Sequence, residues 1–542
     1  MKNLGKKIVL TLFTLAVMVP MCATMVSAKT ATYKSEFPDK NFRKCIMQLV
    51  DESNESARID KGELAEIEVL NVRSKSIKSM EGIQYLTGLT ELNCYHNEIK
   101  ELDVSKNTAL KILNCAYSNY DWLFFRHCLK KINVSGCPEL TYLNCGDNNI
   151  SKLDVSKNPA LKELYCGNNE LSSLDVSKNP ALTNLSCRYN KLSKLDVSKN
   201  PALTDLSCYN NKLSKLDVSK NPALTDLSCY YNKLSSLNVS SCTALTKFNC
   251  YGNKLTNLDV SSCTALKELN CDYNKLSSLD VSKNPALTNL SCDYNKLSSL
   301  DVSGLTALKK LDCRHNNLTN LNVSGLTALT ALYCDYNKLT KLNVSGLTAL
   351  KGLYCDYNKL TNLNVSGLTA LTYLDCPYNK LTKLNVSGCT ALKEFYCDNN
   401  NLTNLDVSSC TELGYLDCYK NELTKLNVSG CTKLGQLYCY ENKLNDLDVS
   451  SCTGLWYLSC YGNNLKKLNV RKNGALEVLH CGKNVSVNGA NPKLKITKND
   501  HYTGSIFTDH AGAFVGVGAL IIVAGIAAFV VIRKRKAQKV NK

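Results

Sequence analysis

Cysteine returns every 21 residues. From Cys145 through Cys481 the step is constant over sixteen intervals. Cys94 and Cys115 extend the series upstream, and the 30-residue step from Cys115 to Cys145 marks one nine-residue insertion. Nineteen of the 29 cysteines thus hold a single position of one repeat. A repeat this short cannot bury its apolar side chains alone, so it must stack on copies of itself. The unbroken period excludes the several separate domains that 542 residues would otherwise allow.

Residues 182–202 show the unit, LTNLSCRYNKLSKLDVSKNPA. Leu182, Leu185, Cys187, Leu192, Leu195 and Val197 are its apolar positions, and Asn190 and Asn200 recur with them. Six apolar side chains at about 2 kcal/mol each do not offset ordering 21 residues at about 1–2 kcal/mol each. Neighbouring coils must supply the remainder. The unit also repeats within itself: Leu-x-x-Leu-x-Cys-x-x-Asn is followed by Leu-x-x-Leu-x-Val-x-x-Asn. In Leu-x-Cys and in Leu-Asp-Val alternate residues point inward, as in a strand. The half-repeat predicts two short strands per coil, on opposite faces, turned by asparagine corners.

These phrases resemble those of leucine-rich-repeat proteins over residues 67–487. The first coil, 67–89, is similar to the 22-residue repeats of bacterial internalins, with Leu70, Val72, Ile77, Met80, Ile83 and Leu86 at the matching places. The chain then departs to 21-residue units carrying Leu-Asp-Val-Ser. The resemblance implies a β-rich solenoid of about twenty coils with parallel strands, and it implies adhesion or recognition. Residues 29–66 read as a small helical N-terminal cap, because Phe42, Cys45, Ile46, Leu49 and Val50 fall at helical spacing. The insertion is placed near 117–133, with an apolar knot at Trp122, Leu123, Phe124 and Phe125. Residues 488–510 read as a polar stalk.

Both ends carry targeting patterns. Residues 1–28 have Lys2, Lys6 and Lys7, then an apolar run, then Val26-Ser27-Ala28, the order of a secretory signal peptide. Residues 511–532 hold no charge and are long enough for a single transmembrane helix. Arg533-Lys534-Arg535-Lys536 follows, and a basic tail at 533–542 is expected on the cytoplasmic side. The body is then extracellular. A cell-wall-sorted adhesin would share this outline, but of a Leu-Pro-x-Thr-Gly signal only Thr503-Gly504 is present. The two ends hold half of the net charge of +18, which leaves a dilute +9 over the body and does not call for nucleic acid.

The cysteine column reads as packing. It takes a place where other leucine-rich repeats put an apolar residue, and a free thiol packs as a small hydrophobe. In-register side chains point the same way, so free buried thiols are expected, in keeping with an oxygen-poor habitat. A second column, Cys137, Cys242, Cys263, Cys389, Cys410, Cys431 and Cys452, alternates with Asn158, Asn179, Asn200, Asn221 and Asn284 and with Leu305, Leu326, Leu347 and Leu368. A position that accepts Asn, Cys or Leu fills a corner; metal ligation needs fixed donors. No nucleophile–histidine constellation is apparent in the sequence, and Asp51, Asp60 and Glu63 lack the order of a calcium loop. No catalytic residue, metal or cofactor is assigned, and the chain is not read as an enzyme.

Function then falls to variable outward positions. The residue between Leu and Cys runs Ser186, Ser207, Ser228, Asn249, Asn270 and Ser291, then Asp312, Tyr333, Tyr354, Asp375, Tyr396, Asp417 and Tyr438. Tyr373, Tyr415 and Tyr457 join from two residues upstream, with Trp456 beside them. Thirteen of the 28 tyrosines lie between 333 and 461. Tyrosine combines contact area with a hydroxyl at low entropic cost. Tyr333, Tyr354, Tyr373, Tyr396, Tyr415, Tyr438, Trp456 and Tyr457 are therefore the expected ligand face, for a protein or a glycan on another surface. A structural spacer of the envelope, binding nothing specific, is the alternative. Tyrosines just after the cysteine, such as Tyr189 and Tyr231, read as corner residues. The sequence leaves the oligomeric state open.

Overall fold

A computed structural model describes residues 30–117 and 129–499. They fall into two compact units, divided after Leu161.

In the first unit three short helices precede the coils: α1 (Tyr33–Glu36), α2 (Lys40–Leu49) and α3 (Lys61–Ala65). Asp39 starts α2 by accepting from the Asn41 and Phe42 amides at 2.9 Å, and its other oxygen accepts from the Lys78 amide at 2.8 Å. One side chain thus caps the helix and ties it to the first coil. Phe37, Phe42, Ile46 and Leu64 are fully buried. Leu49, expected on the same apolar face, is 53% exposed at the last position of α2, and Cys45 is half-buried. Asp60 caps α3 through the Gly62 and Glu63 amides. Four strands follow in parallel register, Leu70 beside Leu92, Leu92 beside Leu113 and Leu113 beside Leu143.

The second unit repeats this geometry from the strand Glu163–Tyr165 to the strand Lys495–Lys498. Leu185, Leu206 and Leu227 stand side by side across coils. The Cys187 amide donates to the Ser207 carbonyl at 2.9 Å, and each later coil repeats that bond. All but the last two strands of this ladder are three residues long, because the inward Leu-x-Cys phrase allows no more before the asparagine turn. Phe248 and Phe395 take the leucine position and are equally buried. Both units together make about twenty coils.

The opposite face is extended as the half-repeat predicts, but more sparsely. Strand pairs form at Glu101–Asp103 with Lys131–Asn133, Asn362–Asn364 with Lys383–Asn385, Asn404–Asp406 with Lys425–Asn427, and Lys467–Asn469 with Ser486–Asn488. Between them lie single bridges such as Asp196 to Asp217 and Asp280 to Asp301. At bridges and strand pairs alike the aspartate carboxylate accepts the amide of the serine two residues on, at 2.9 Å for Asp196, Asp280 and Asp406, and turns the chain after it.

Two sequence boundaries shift. Leu129 already fills a buried core position and its amide donates to Asn148 at 2.9 Å, so regular structure resumes before 133. The strand Lys495–Lys498 pairs with Val478–Cys481, which carries the parallel ladder into the region read as a stalk. The period hides this strand because its Ile496 stays 39% exposed and no leucine repeat marks it. No helix of the described residues is long and apolar enough to cross a membrane. Residues 1–28, expected to be a signal peptide, residues 511–532, expected to span a membrane, the tail 533–542 and the knot at Trp122 lie outside the described residues.

Candidate functional site

The scaffold is locked at two corners. At the first, an asparagine three residues after the ladder cysteine bridges coils in most of the repeats. The Asn274 amide group donates to the carbonyls of Cys250 and Cys271, both at 3.0 Å, and its oxygen accepts from the Leu255 amide at 3.0 Å. At the second, Asn221 donates to Val197 and Asn200 carbonyls at 3.0 and 2.8 Å, while its own oxygen is unpaired. Cys389 makes one weaker bond there, to the Val365 carbonyl at 3.1 Å. Where leucine takes the position, the residue before it is a glycine with φ of 75–84°, as at Gly304, Gly325, Gly346 and Gly367. The described ladder cysteines are free and buried. Burial pushes the Cys145, Cys187 and Cys229 thiols up to about 12, which leaves them un-ionised and inert.

The outward face of the long strands changes character along the second unit. Through strands Asp226–Ser228 to Lys310–Asp312 small polar side chains leave a trough of about 540 Å³, lined by Ser228, Asn249, Asn270 and Ser291. It ends at an ion pair. Arg314 grips Asp312 with two bonds of 2.9 and 2.8 Å. Its guanidinium and the Lys310 ammonium each lie 5.2 Å from the Tyr333 ring centre.

Beyond that point the predicted tyrosines come together. Ring centres are 4.5 Å apart for Tyr333 and Tyr354, 4.7 Å for Tyr354 and Tyr373, and 5.6 Å for Tyr373 and Tyr396. The series continues through Tyr415, Tyr438 and Tyr457 at 4.9, 5.4 and 4.8 Å. His480 closes it at 5.6 Å. Trp456 packs edge-on against Tyr457 at 6.0 Å and is 41% exposed. Two columns of the sequence thus interleave into one band. Tyr438 is nearly buried and the other six tyrosines are half-buried, each ring shielding its neighbours.

Sequence reasoning placed Asp375 and Asp417 on this face but missed the aspartates that join them. Asp335, Asp398 and Asp417 are buried there, with Asp356 and Asp375 half-buried. Burial first, then the neighbouring carboxylates, push Asp335 and Asp375 up to about 8 and Asp356 to about 6. Asp417 is raised well above the ordinary range by the same causes. Near neutral pH part of this row is protonated, so it presents hydroxyl donors as well as acceptors. The position just after the ladder cysteine carried the signal: Asp335, Asp356 and Asp398 all stand there.

The corner tyrosines form a second stack. Tyr273, Tyr294, His315, Tyr336, Tyr357 and Tyr378 follow one another with ring centres 3.9–4.4 Å apart. Among the described residues no group of three or more His, Cys, Asp or Glu side chains is arranged to hold a metal ion.

Known proteins share this build. A family described as Leucine Rich repeats (2 copies) matches residues 138–179. Internalin J of Listeria monocytogenes is 36% identical over 85 residues, which is 16% of this chain and 9% of that protein. The solved functional domain of InlJ from the same organism, described as including a cysteine ladder, is 30% identical and covers 84% of this chain and 82% of its own, with a TM-score of 0.48. The chain belongs to the internalin-like leucine-rich-repeat proteins. The internalin InlF of Listeria monocytogenes is 25% identical, covering 64% of this internalin-like chain and 98% of its own, at a TM-score of 0.51. The plant peptide hormone receptor RGFR1, solved in complex with RGF2, shares the fold at 20% identity and a TM-score of 0.62, covering 77% of this chain and 79% of that one. Leucine-rich-repeat proteins of internalin and receptor type are binding scaffolds, and protein partners are their usual ligands.

Proposed function

We propose that this internalin-like protein is a cell-surface recognition scaffold that binds a protein partner through the band of Tyr333, Tyr354, Tyr373, Tyr396, Tyr415, Tyr438 and Tyr457, flanked by Trp456. The observation that carries this reading is the continuity of the band. Seven tyrosine rings in contact across consecutive coils, at about 4.8 Å per strand, make a strip on the order of 30 Å long. Strips of that length fit protein interfaces, which bury about 800 Å² per partner and are rich in tyrosine. A sugar docked by ring stacking needs free aromatic faces. Here Tyr333, Tyr354 and Tyr373 stack on one another and the later rings lean together at 31–37°, which leaves little open face and favours a polypeptide.

The sequence supports the setting. The signal pattern of 1–28 and the apolar run of 511–532 with its basic tail make the body extracellular and membrane-anchored. Deleting 511–542 should then release the protein into the medium; retention in the cell fraction would remove that part of the proposal.

The binding test uses a protein array and intact cells. Tyr333→Ala, Tyr354→Ala and Tyr396→Ala combined should abolish capture, because truncating central aromatic anchors costs 2 kcal/mol or more each at about this kind of interface. Ser207→Ala with Ser228→Ala should leave capture unchanged. If the triple variant binds as well as the parent, the band is not the interface and the spacer reading gains.

A further inference from the structure

The corner that carries the second tyrosine stack has a charge pattern that protein recognition by the band does not use. Four residues after the ladder cysteine stand Lys191, Lys212, Lys233, Lys254, Lys275 and Lys296, one on each of six consecutive coils and all exposed. Each main chain is fixed. The Lys212, Lys233, Lys254 and Lys275 amides donate at 2.8 Å to Leu192, Leu213, Leu234 and Leu255 carbonyls of the preceding coil, and Lys296 donates to Leu276 at 2.9 Å. The asparagine beside each lysine is itself clipped to the neighbouring coils. The side chains therefore leave a rigid edge at equal intervals of about 4.8 Å.

Solvation alone does not account for such a row. Like charges on adjacent strands repel; the column relieves this at its two ends, while Lys338, Lys359 and Lys380 form a second, shorter run of exposed lysines that no described acid pairs. Lys191 pairs with Glu170 and Lys443 with Glu422. Other columns do the same, as with Glu412 and Lys433 at 2.6 Å. Among the described residues, Lys212, Lys233, Lys254, Lys275 and Lys296 have no acid within ion-pair distance. The aspartates of the same coils, such as Asp217 and Asp259, already accept serine amides at 2.9 Å.

Two rows flank the lysines. An exposed serine or threonine lies two residues on in every coil, from Ser193 to Ser298. Two residues before, Tyr189, Tyr231, Tyr273 and Tyr294 are 42–51% exposed. They sit at φ of 49–51°, where glycine or asparagine would be unstrained, as Gly252 and Asn210 show in the same row. Bulky rings kept in that conformation point to a use for them. Tyr273 and Tyr294 stack face to face at 4.3 Å, so those rings offer edges and hydroxyls and no free face for a base. Single-stranded nucleic acid is held by just such free faces. What remains is a row of cations with an unbroken row of hydroxyls on one side and four tyrosines on the other.

We propose that this edge binds a linear acidic polysaccharide lying along the stack of coils, its carboxylate or sulfate groups on Lys212, Lys233, Lys254, Lys275 and Lys296 and its hydroxyls bonded to the serine, threonine and tyrosine rows. This site is on different residues from the tyrosine band and stands or falls without it.

The test is made on the purified full-length protein with heparin, polygalacturonate, neutral dextran, polyphosphate and poly(dT) as probes. Heparin or polygalacturonate should bind, dextran should not, and affinity should fall steeply as salt rises. Lys233→Gln, Lys254→Gln and Lys275→Gln combined should weaken binding about a hundredfold and flatten the salt dependence, taking about fivefold per lysine at a dense anionic surface. A control with the same charge change, Lys383→Gln, Lys425→Gln and Lys467→Gln, should lose less than threefold, with unchanged melting of both variants. The proposal is overturned if neither polysaccharide binds, if the control weakens binding as much as the test variant, or if polyphosphate or poly(dT) binds as tightly as the polysaccharides at equal charge.

Discussion

Residues 184–291 and residues 331–459 follow the same path. Both build three-residue strands in parallel register, bury the same leucines and cysteines, and close each coil with the same buried asparagine. They differ in what the strands turn outward. The first stretch shows Ser186, Ser207, Ser228, Asn249 and Ser291, and part of it opens into a polar trough. The second shows an interleaved run of tyrosines along a row of partly protonated aspartates. Inward positions are constrained by every neighbouring coil, while outward positions answer only to solvent and to each other. The same backbone therefore carries two surfaces, and the comparison separates what holds the solenoid from what the solenoid displays.

The sharpest test of the shared backbone is the first corner. Asn253→Leu in the first stretch removes donors to Cys229 and Cys250 carbonyls, at 3.1 and 3.0 Å, and the acceptor of the Leu234 amide at 3.0 Å. Asn358→Leu in the second removes the matching bonds to Cys334 and Cys355 and from Leu339, at 3.0, 3.2 and 2.9 Å. Each substitution leaves buried backbone groups unpaired at about 1–3 kcal/mol apiece. Both should cost about 3 kcal/mol or more in urea unfolding, and by nearly equal amounts. A difference of more than ~1 kcal/mol, beyond ordinary context scatter, would show that the outward side chains reach into the scaffold.

The next effect belongs to the second stretch. Asp335 and Asp375 have folded values of about 8, above the ordinary 3.8 of an unfolded chain. Below about pH 4 both states are protonated and these groups cost nothing. As pH rises toward 8 the unfolded chain releases the protons first, so stability is lost across that window. Melting of the native protein should fall by several degrees between pH 5 and pH 8 on this account. Asp335→Asn with Asp375→Asn should flatten the fall. Asp205 and Asp226 of the first stretch are also raised, by burial, but each has a single carboxylate adding to it where Asp375 has three. Asp205→Asn with Asp226→Asn should flatten it less, and an equal effect would erase the distinction between the stretches.

The fold was legible because a repeat amplifies its own signal. Cys187 alone says little; nineteen such cysteines on a strict step name the strand, its inward face and the solenoid. Tyr333, Tyr354 and their partners were legible for the same reason, since columns can be read by counting. What counting hides is contact between columns. Tyr373 meets Tyr354 and Tyr396 because side chains two residues apart share a strand face, and Asp335 lies beside them from a third column past the cysteine. Leu49 faced solvent against expectation because α2 ends there, and helical spacing carries no information about where a helix stops. The strand Lys495–Lys498 was hidden because it continues the ladder by main-chain bonds without the leucines that mark the others.

Outward rings add a smaller term. Tyr354→Ala removes stacking with Tyr333 at 4.5 Å and Tyr373 at 4.7 Å. At about 0.5–1.5 kcal/mol per aromatic pair it should cost about 1–3 kcal/mol of stability. Ser228→Ala, at the same position of the first stretch, should stay within about 0.5 kcal/mol. The two values from thermal melts measure what the band contributes to the fold apart from any partner.

The smallest effect is expected at the second corner, where the stretches again differ. The first uses Asn200, Asn221 and Asn284 among its corner residues, the second Leu347, Leu368, Cys389, Cys410, Cys431 and Cys452. Asn284 donates to the Val260 and Cys263 carbonyls at 2.9 and 2.8 Å, but its oxygen is buried and unpaired. The gain from the two donors is thus partly cancelled by the desolvated acceptor. Cys263, one coil earlier, fills the same position with a thiol 3.6 Å from the Val239 carbonyl and no unpaired polar oxygen. Asn284→Cys should therefore cost no more than about 1 kcal/mol, well below the cost of Asn253→Leu at the other corner. The new thiol should resist a thiol reagent in the native protein, as burial makes its neighbour Cys263 resist, pushed up to about 11. Rapid labelling of the variant, with the parent unlabelled, would mean that this corner opens to solvent and that its tolerance of Asn, Cys and Leu reflects looseness instead of balanced hydrogen bonding.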